Sequence, residues 1–150
     1  MEASEGDATR RIPYAGDVIR VLGESEGLAF CELTVPPHFA GPPAHIHHGF
    51  DEAIYVLDGA LTMTKGRTGP EPAPAGTLIL AARGVRHTFA NPHERPARVV
   101  GVWSPASALS FMEEIGAALP ASGPPDPAQL AAIYRRHNSE IAPERRAPAP

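Results

Sequence analysis

The sequence predicts an all-β domain, and three observations carry that prediction. Glycine and proline are abundant, 14 and 18 residues of 150, so about a fifth of the chain breaks it into short elements, while staying below the roughly 25–30% of low-complexity disorder. Between these breaks, runs rich in β-branched and aromatic residues recur about every ten residues. The chain has the length of one ordinary domain, which can bury roughly 70% of its unfolded surface without disulfides. Many short strands in one domain point to a sandwich or barrel.

The strands follow in order as Asp17–Leu22, Leu28–Val35, Glu52–Leu57, Ala60–Thr64, Thr77–Leu80, Arg86–Ala90 and Ala97–Trp103. Asp58-Gly59, set inside Ile54–Met63, reads as the two-residue turn of a hairpin. Pro36–Ala44 and Gly69–Gly76 read as loops stiffened by proline. These elements assign the barrel to residues 13–104. After Trp103 the period changes, since Leu109, Met112, Ile115 and Leu119 recur at helical spacing within Ala106–Leu119. A second helix starts at Asp126-Pro127-Ala128-Gln129, with an acceptor at the N-cap and proline at the first helical position; it carries Leu130, Ile133, Tyr134 and His137 on one stripe. Residues 105–138 are therefore expected as C-terminal helices packed outside the barrel, with a sharper alternative in which Phe111 and Met112 lid a pocket. Residues 1–12 and 139–150, polar or proline-rich, are expected as flexible tails.

Composition excludes several function classes. Thirteen basic against 17 acidic residues, net −4 and evenly mixed, give no footprint for a phosphate backbone, so no nucleic-acid partner is expected. No apolar run approaches the ~18 residues of a spanning helix, and the acidic N-terminus is unlike a secretory signal; a cytoplasmic protein without a membrane partner is expected. The lone Cys31 lies inside the apolar run Leu28–Leu33 and reads as a buried structural thiol.

The chemistry concentrates in the histidines, seven in all, five of them between His38 and His87. In an extended chain residues two apart point the same way, so His45 and His47 share a face. Glu52 then shares a strand face with Ile54 and Val56, and a carboxylate set at an apolar surface is best partnered by a divalent cation. His87 alternates with Val85 and Phe89 and supplies a natural third imidazole. By the same alternation His48 and Asp51 point outward. His38 and Phe39 are loop residues that could reach a pocket mouth, His93 reads as an exposed turn residue and His137 as a residue following the helical stripe, Arg83 and Arg86 as solvated charges, and Phe30, Met63, Phe89 and Trp103 as barrel-wall candidates whose side depends on register.

This pattern resembles the cupin superfamily. His45-Ile46-His47, four residues, Glu52, six residues and Gly59 fit its first motif, and Gly76, Gly84, His87 and Asn91 fit its second; Phe39 and Ala82 stand where the motifs have glycine and proline. The resemblance implies a jelly-roll β-barrel, a homodimer, and one divalent transition metal (Fe, Mn, Co, Ni, Cu or Zn) on His45, His47, Glu52 and His87. The phrases around the ligands are similar to single-domain cupins of the quercetin dioxygenase type. That similarity implies a dioxygenase acting on a small enol, flavonol-like or aromatic substrate, with Glu52 as ligand or base. A non-redox isomerase, cyclase or lyase on the same residues, and a non-enzymatic small-molecule-binding cupin, are the alternatives.

Overall fold

The computed structural model describes residues 10–120 and 123–143. Eleven strands occur among them: β1 (Arg10–Tyr14), β2 (Asp17–Glu24), β3 (Ala29–Val35), β4 (His45–His47), β5 (Asp51–Asp58), β6 (Ala60–Lys65), β7 (Glu71–Pro74), β8 (Leu78–Ala81), β9 (His87–Ala90), β10 (Ala97–Ser104) and β11 (Ser139–Ile141). They form a six-stranded sheet in the order β1-β2-β3-β10-β5-β8 and a five-stranded sheet in the order β11-β4-β9-β6-β7. Every pairing is antiparallel. Strict alternation fills the space between the sheets. From the larger one come Ile19, Cys31, Leu33, Ile54, Val56 and Val99, and from the smaller Leu61, Ala73 and Phe89, all buried.

The expected hairpin at Asp58-Gly59 is corrected. Strands β5 and β6 lie in different sheets, and the turn is where the chain crosses between them. Only Gly59 of the pair has positive φ, +78°, and a Cβ there would meet the Pro96 carbonyl oxygen at 2.7 Å, so glycine is required by close approach as much as by the turn. The loop expected at Gly69–Gly76 contains β7. Its Pro72 and Pro74 are tolerated because β7 ends its sheet, where missing N–H donors face no further strand.

The expected tails also give way in part. Strand β1 begins at Arg10 and buries Ile12 and Tyr14, and β11 pairs Ser139, Glu140 and Ile141 with His47, Ile46 and His45. Both strands are too short and too polar to show a period. The remainder of each expected tail, 1–9 and 144–150, lies outside the described residues.

A short 3₁₀ turn, Ala106–Ala108, leads into α1 (Leu109–Ala118), and α2 spans Pro127–Arg136. Asp126 caps α2, its carboxylate accepting from the backbone N–H groups of Ala128 and Gln129. Helix α1 buries Leu109, Phe111, Met112 and Ile115 and packs so closely on β1 that a Cβ on Gly116 would lie 1.8 Å from the Pro13 carbonyl oxygen. Its Phe111, Met112 and Ile115 line the internal cavity.

The outer face of the larger sheet is apolar. Phe30, Tyr55, Leu57, Leu78 and Leu80 are exposed there, so Phe30 is not a barrel-wall residue. Register makes these side chains contiguous: Val102 lies opposite Phe30 and Ala53, and Tyr55 lies opposite Val100 and Leu78.

Candidate metal centre

Four residues predicted as ligands converge. His45 and His47 come from β4, His87 from β9 directly opposite His45, and Glu52 from β5 of the other sheet, so the cluster bridges the two layers. One donor atom of each lies within 4.8 Å of those of the others, and the residues are only 2–7% exposed. Glu52 Oε2 stands 3.5 Å from His47 Nε2 and 3.8 Å from His87 Nε2.

The outer nitrogen of each ring is fixed. His45 Nδ1 donates to the Pro43 carbonyl at 2.8 Å and His87 Nδ1 to the Val85 carbonyl at 2.9 Å; a carbonyl can only accept, so Nδ1 carries the proton and the Nε2 lone pair faces inward. His47 Nδ1 meets Ser139 Oγ at 2.7 Å, and that hydroxyl donates onward to the His137 carbonyl at 3.2 Å, which leaves it an acceptor toward His47. Inside the cluster the buried Nε2 atoms of His47 and His87 have no hydrogen-bond partner. Orphaned buried acceptors are costly, and imidazoles anchored at Nδ1 with free Nε2 are the arrangement metal-binding histidines adopt. Three neutral nitrogens and one carboxylate suit a divalent transition ion.

Electrostatics favour neutral imidazoles at His45 and His47 and an ionised Glu52, while Glu52 favours the charged form of His87 in the absence of metal. Burial, reinforced by the neighbouring His87 and His47, lowers the His45 pKa to about 3. Burial likewise outweighs Glu52 at His47 and lowers it; at His87 burial is opposed and outweighed by Glu52, which raises it. Burial alone would raise Glu52, but contacts with His47 and His87 hold it well below the usual carboxylate range. Trp103, opposite Glu52 in the β5–β10 register, donates from Nε1 to Glu52 Oε2 at 3.2 Å.

The cavity beside the cluster is lined by both sheets and both helices, and among its lining residues Glu52 alone carries a formal charge at neutral pH. It contains about 470 Å³ of atom-free space counting its mouth, of which only about 30 Å³ admits the centre of a water, room for one or two waters.

The other singled-out residues sit elsewhere. Exposed His48 faces Glu140 at 3.7 Å, and Asp51 accepts from the Arg83 backbone N–H at 2.8 Å. Arg86 donates to the Ala142 and Gly66 carbonyls, clamping the chain after β11 instead of standing in solvent. Neither His38 nor Phe39 lines the cavity: exposed His38 pairs with Glu94, and Phe39 packs on Tyr14 and Phe89. His93 is exposed, and His137 meets Glu114 at 2.9 Å. Met63 is half-buried against the core, and Phe89 and Trp103 face inward. Cys31 is buried, and burial raises its thiol pKa to about 11. Sequence reasoning missed Ser139 and Tyr14; the inward stripe Ile12, Tyr14 was the one available signal.

Comparison with known proteins places this geometry. Residues 31–103 match the family described as Cupin domain. A curated relative, germin-like protein subfamily 2 member 3 of Arabidopsis thaliana, is 29% identical over 110 residues, 71% of this chain and 49% of that protein; the chain thus spans about half its relative's length. Among solved structures, an RmlC-like cupin from Shewanella frigidimarina matches with TM-score 0.58 and 20% identity, over 71% of this chain and 93% of that one. A sugar phosphate isomerase of the cupin superfamily from Silicibacter pomeroyi matches with TM-score 0.57 and 22% identity, over 65% and 72%. The polyketide cyclase RemF from Streptomyces resistomycificus matches with TM-score 0.55 and 22% identity, over 69% and 79%. Likeness at these identities establishes the fold. No helix among the described residues is long and apolar enough to cross a membrane.

Proposed function

We propose that this chain, whose residues 31–103 match the family described as Cupin domain, is a metal-dependent enzyme, a dioxygenase of a small, largely apolar compound bound through an enol or enolate oxygen. The observation that carries the reading is the pair of unpartnered Nε2 atoms of His47 and His87 aimed at Glu52 beside an apolar cavity. His45, His47, Glu52 and His87 would hold the ion. Four protein ligands leave open positions, and the ion when bound would supply Lewis acidity and a site for dioxygen.

The rest of the chemistry belongs to the chain. With Glu52 ionised and Trp103 Nε1 holding one of its oxygens, the carboxylate is oriented to accept an enol proton. Apolar walls from Leu33, Ile54, Val99 and Ile115 exclude water from a reactive carbanion-like substrate. A sugar phosphate would need cationic and hydroxyl-binding groups, and among the described residues no lysine or arginine lines the cavity. The cavity has room for only one or two waters, so seating a ring requires lining side chains to move, and the unbranched Met112 is the one that adapts at least cost.

A second copy of the chain is proposed to cover the exposed apolar face, whose rim carries the Arg20–Glu32–Arg98 charges. Sedimentation of wild-type and Tyr55→Glu protein tests this: dimer and monomer respectively are expected, and a wild-type monomer at every concentration would overturn it.

The enzymatic reading is tested by metal analysis of chelator-free protein beside His47→Ala, followed by an oxygen electrode with flavonols, diketones and polyphenols on the Fe, Mn, Co and Ni forms. Metal in the wild type but not the variant, with oxygen uptake matching substrate loss, is expected. Equal metal content in both overturns the ligand set. Equal conversion under argon replaces the dioxygenase with a non-redox isomerase, cyclase or lyase, and binding without conversion in either atmosphere replaces it with a sensor.

A further inference from the structure

Two tyrosines line the cavity. Tyr14 on β1 is 7% exposed and Tyr134 on α2 is 1% exposed, and both line the cavity that contains Glu52. Tyr134 packs edge-on against His45, ring centres 5.1 Å apart, and Tyr14 packs edge-on against Phe39, so both rings are held by neighbours. Among the described residues neither hydroxyl makes a hydrogen bond. A buried phenolic O–H ordinarily has one, and because both residues line the cavity, a molecule bound there can supply the acceptor.

We propose that Tyr14 and Tyr134 form a donor pair that binds a carbonyl oxygen of the substrate, distinct from the oxygen held at the His45, His47, Glu52 and His87 cluster. This rests on the metal-site reading and specifies its substrate class: a compact apolar molecule with a chelating enol at one end and a neutral acceptor at the other. The pair suits a neutral oxygen because both phenols stay protonated; burial raises their pKa values, and the Glu52 charge adds to it. Both tyrosines lie outside residues 31–103, so they belong to the additions around the matched domain. Strand β1 brings one and α2 the other, and both residues line the same cavity.

A matched pair of probes isolates the interaction. 2-Acetylcyclohexane-1,3-dione carries a chelating enol-ketone and a third carbonyl, whereas 2-acetylcyclohexanone carries the chelating pair alone. Titration calorimetry on zinc-loaded wild-type, Tyr14→Phe and Tyr134→Phe proteins gives the ratio of the two affinities in each. The wild type is expected to prefer the triketone, and each variant to lose about tenfold of that preference at unchanged zinc content and unchanged affinity for the diketone. The midpoint of thermal unfolding without ligand is expected not to fall in either variant, since the lost hydroxyl had no protein partner; a structural hydroxyl would lower it. The same preference in all three proteins, or none in the wild type, overturns the donor pair while leaving the metal site standing. Wild-type protein that takes up no zinc overturns the metal reading and the pair with it.

Discussion

Ser139 Oγ stands 2.7 Å from Nδ1 of His47, across 92 residues of sequence. The bond exists because β11 closes the edge of the five-stranded sheet beside β4, with Ser139 in register with His47. Ser139→Ala removes the acceptor that fixes the His47 tautomer, and metal affinity is expected to fall by about 10–100-fold with the fold unchanged. Competition against a chelator of known affinity measures it; wild-type affinity would show that the ring orients itself without help.

Glu52 separates a ligand from a participant in proton transfer. Glu52→Gln weakens the site, since a neutral amide is the poorer ligand, and excess metal restores occupancy. With metal saturating, kcat is expected to stay depressed by about 10²–10⁴-fold. A fully metallated variant with wild-type kcat excludes the base role.

The metal-free protein should lose stability on acidification. His45 and His47 have folded pKa values below the ordinary 6.5, so the unfolded chain binds more protons below that pH and stability falls as the pH drops from there, for His45 down to about 3. Glu52, depressed below 4.5, adds a further loss once the pH passes below that value. His87 is raised, so its contribution is present below 6.5 and is lost as the pH rises through its folded value, opposing the others in part. Each titrating group contributes at most about 1.4 kcal/mol per pH unit. Urea midpoints between pH 8 and 5, with chelator, check the sign; rising stability toward pH 5 would contradict the buried neutral imidazoles. Metal should raise stability near neutrality and steepen the loss on acidification, because it binds only deprotonated ligands and so cancels the opposing contribution of His87.

Cys31 is predicted to be dispensable for chemistry. Its side chain is fully buried in the six-stranded sheet and is not among the residues lining the cavity. Cys31→Ala should cost about 1 kcal/mol by chemical denaturation, with metal content and turnover unchanged. A large fall in turnover at intact fold would place the thiol in the reaction.

The parts of the molecule legible in the sequence are those with a period. The alternation Glu52, Ile54, Val56 and the pair His45, His47 specified faces correctly, because inward and outward positions in a strand follow from parity alone. The N-cap at Asp126 was legible because capping is local. Partner choice was not: Asp58-Gly59 has the chemistry of a hairpin turn, yet β5 pairs with β8 and β10, since burying one face of each strand between the two layers outweighs the local preference. Nor was β11 legible, three residues whose role is defined by a histidine on a distant strand. Tyr134 was placed on the correct stripe of its helix, but a stripe does not say which cavity it overlooks.

Gly116 sets α1 against the β1 backbone at Pro13 with no room for a methyl group. A contact of main chain on main chain has no rotamers to drift, so the roof of the chamber is dimensionally fixed while two of its side chains, Met112 and Ile115, are free to vary; Phe111, edge-on against His47 with ring centres 5.0 Å apart, is tied to the ligand cluster. Ligand size and shape can thus be retuned at Met112 and Ile115 alone. Such a roof makes the barrel a scaffold on which substrate preference can diverge independently of the chemistry.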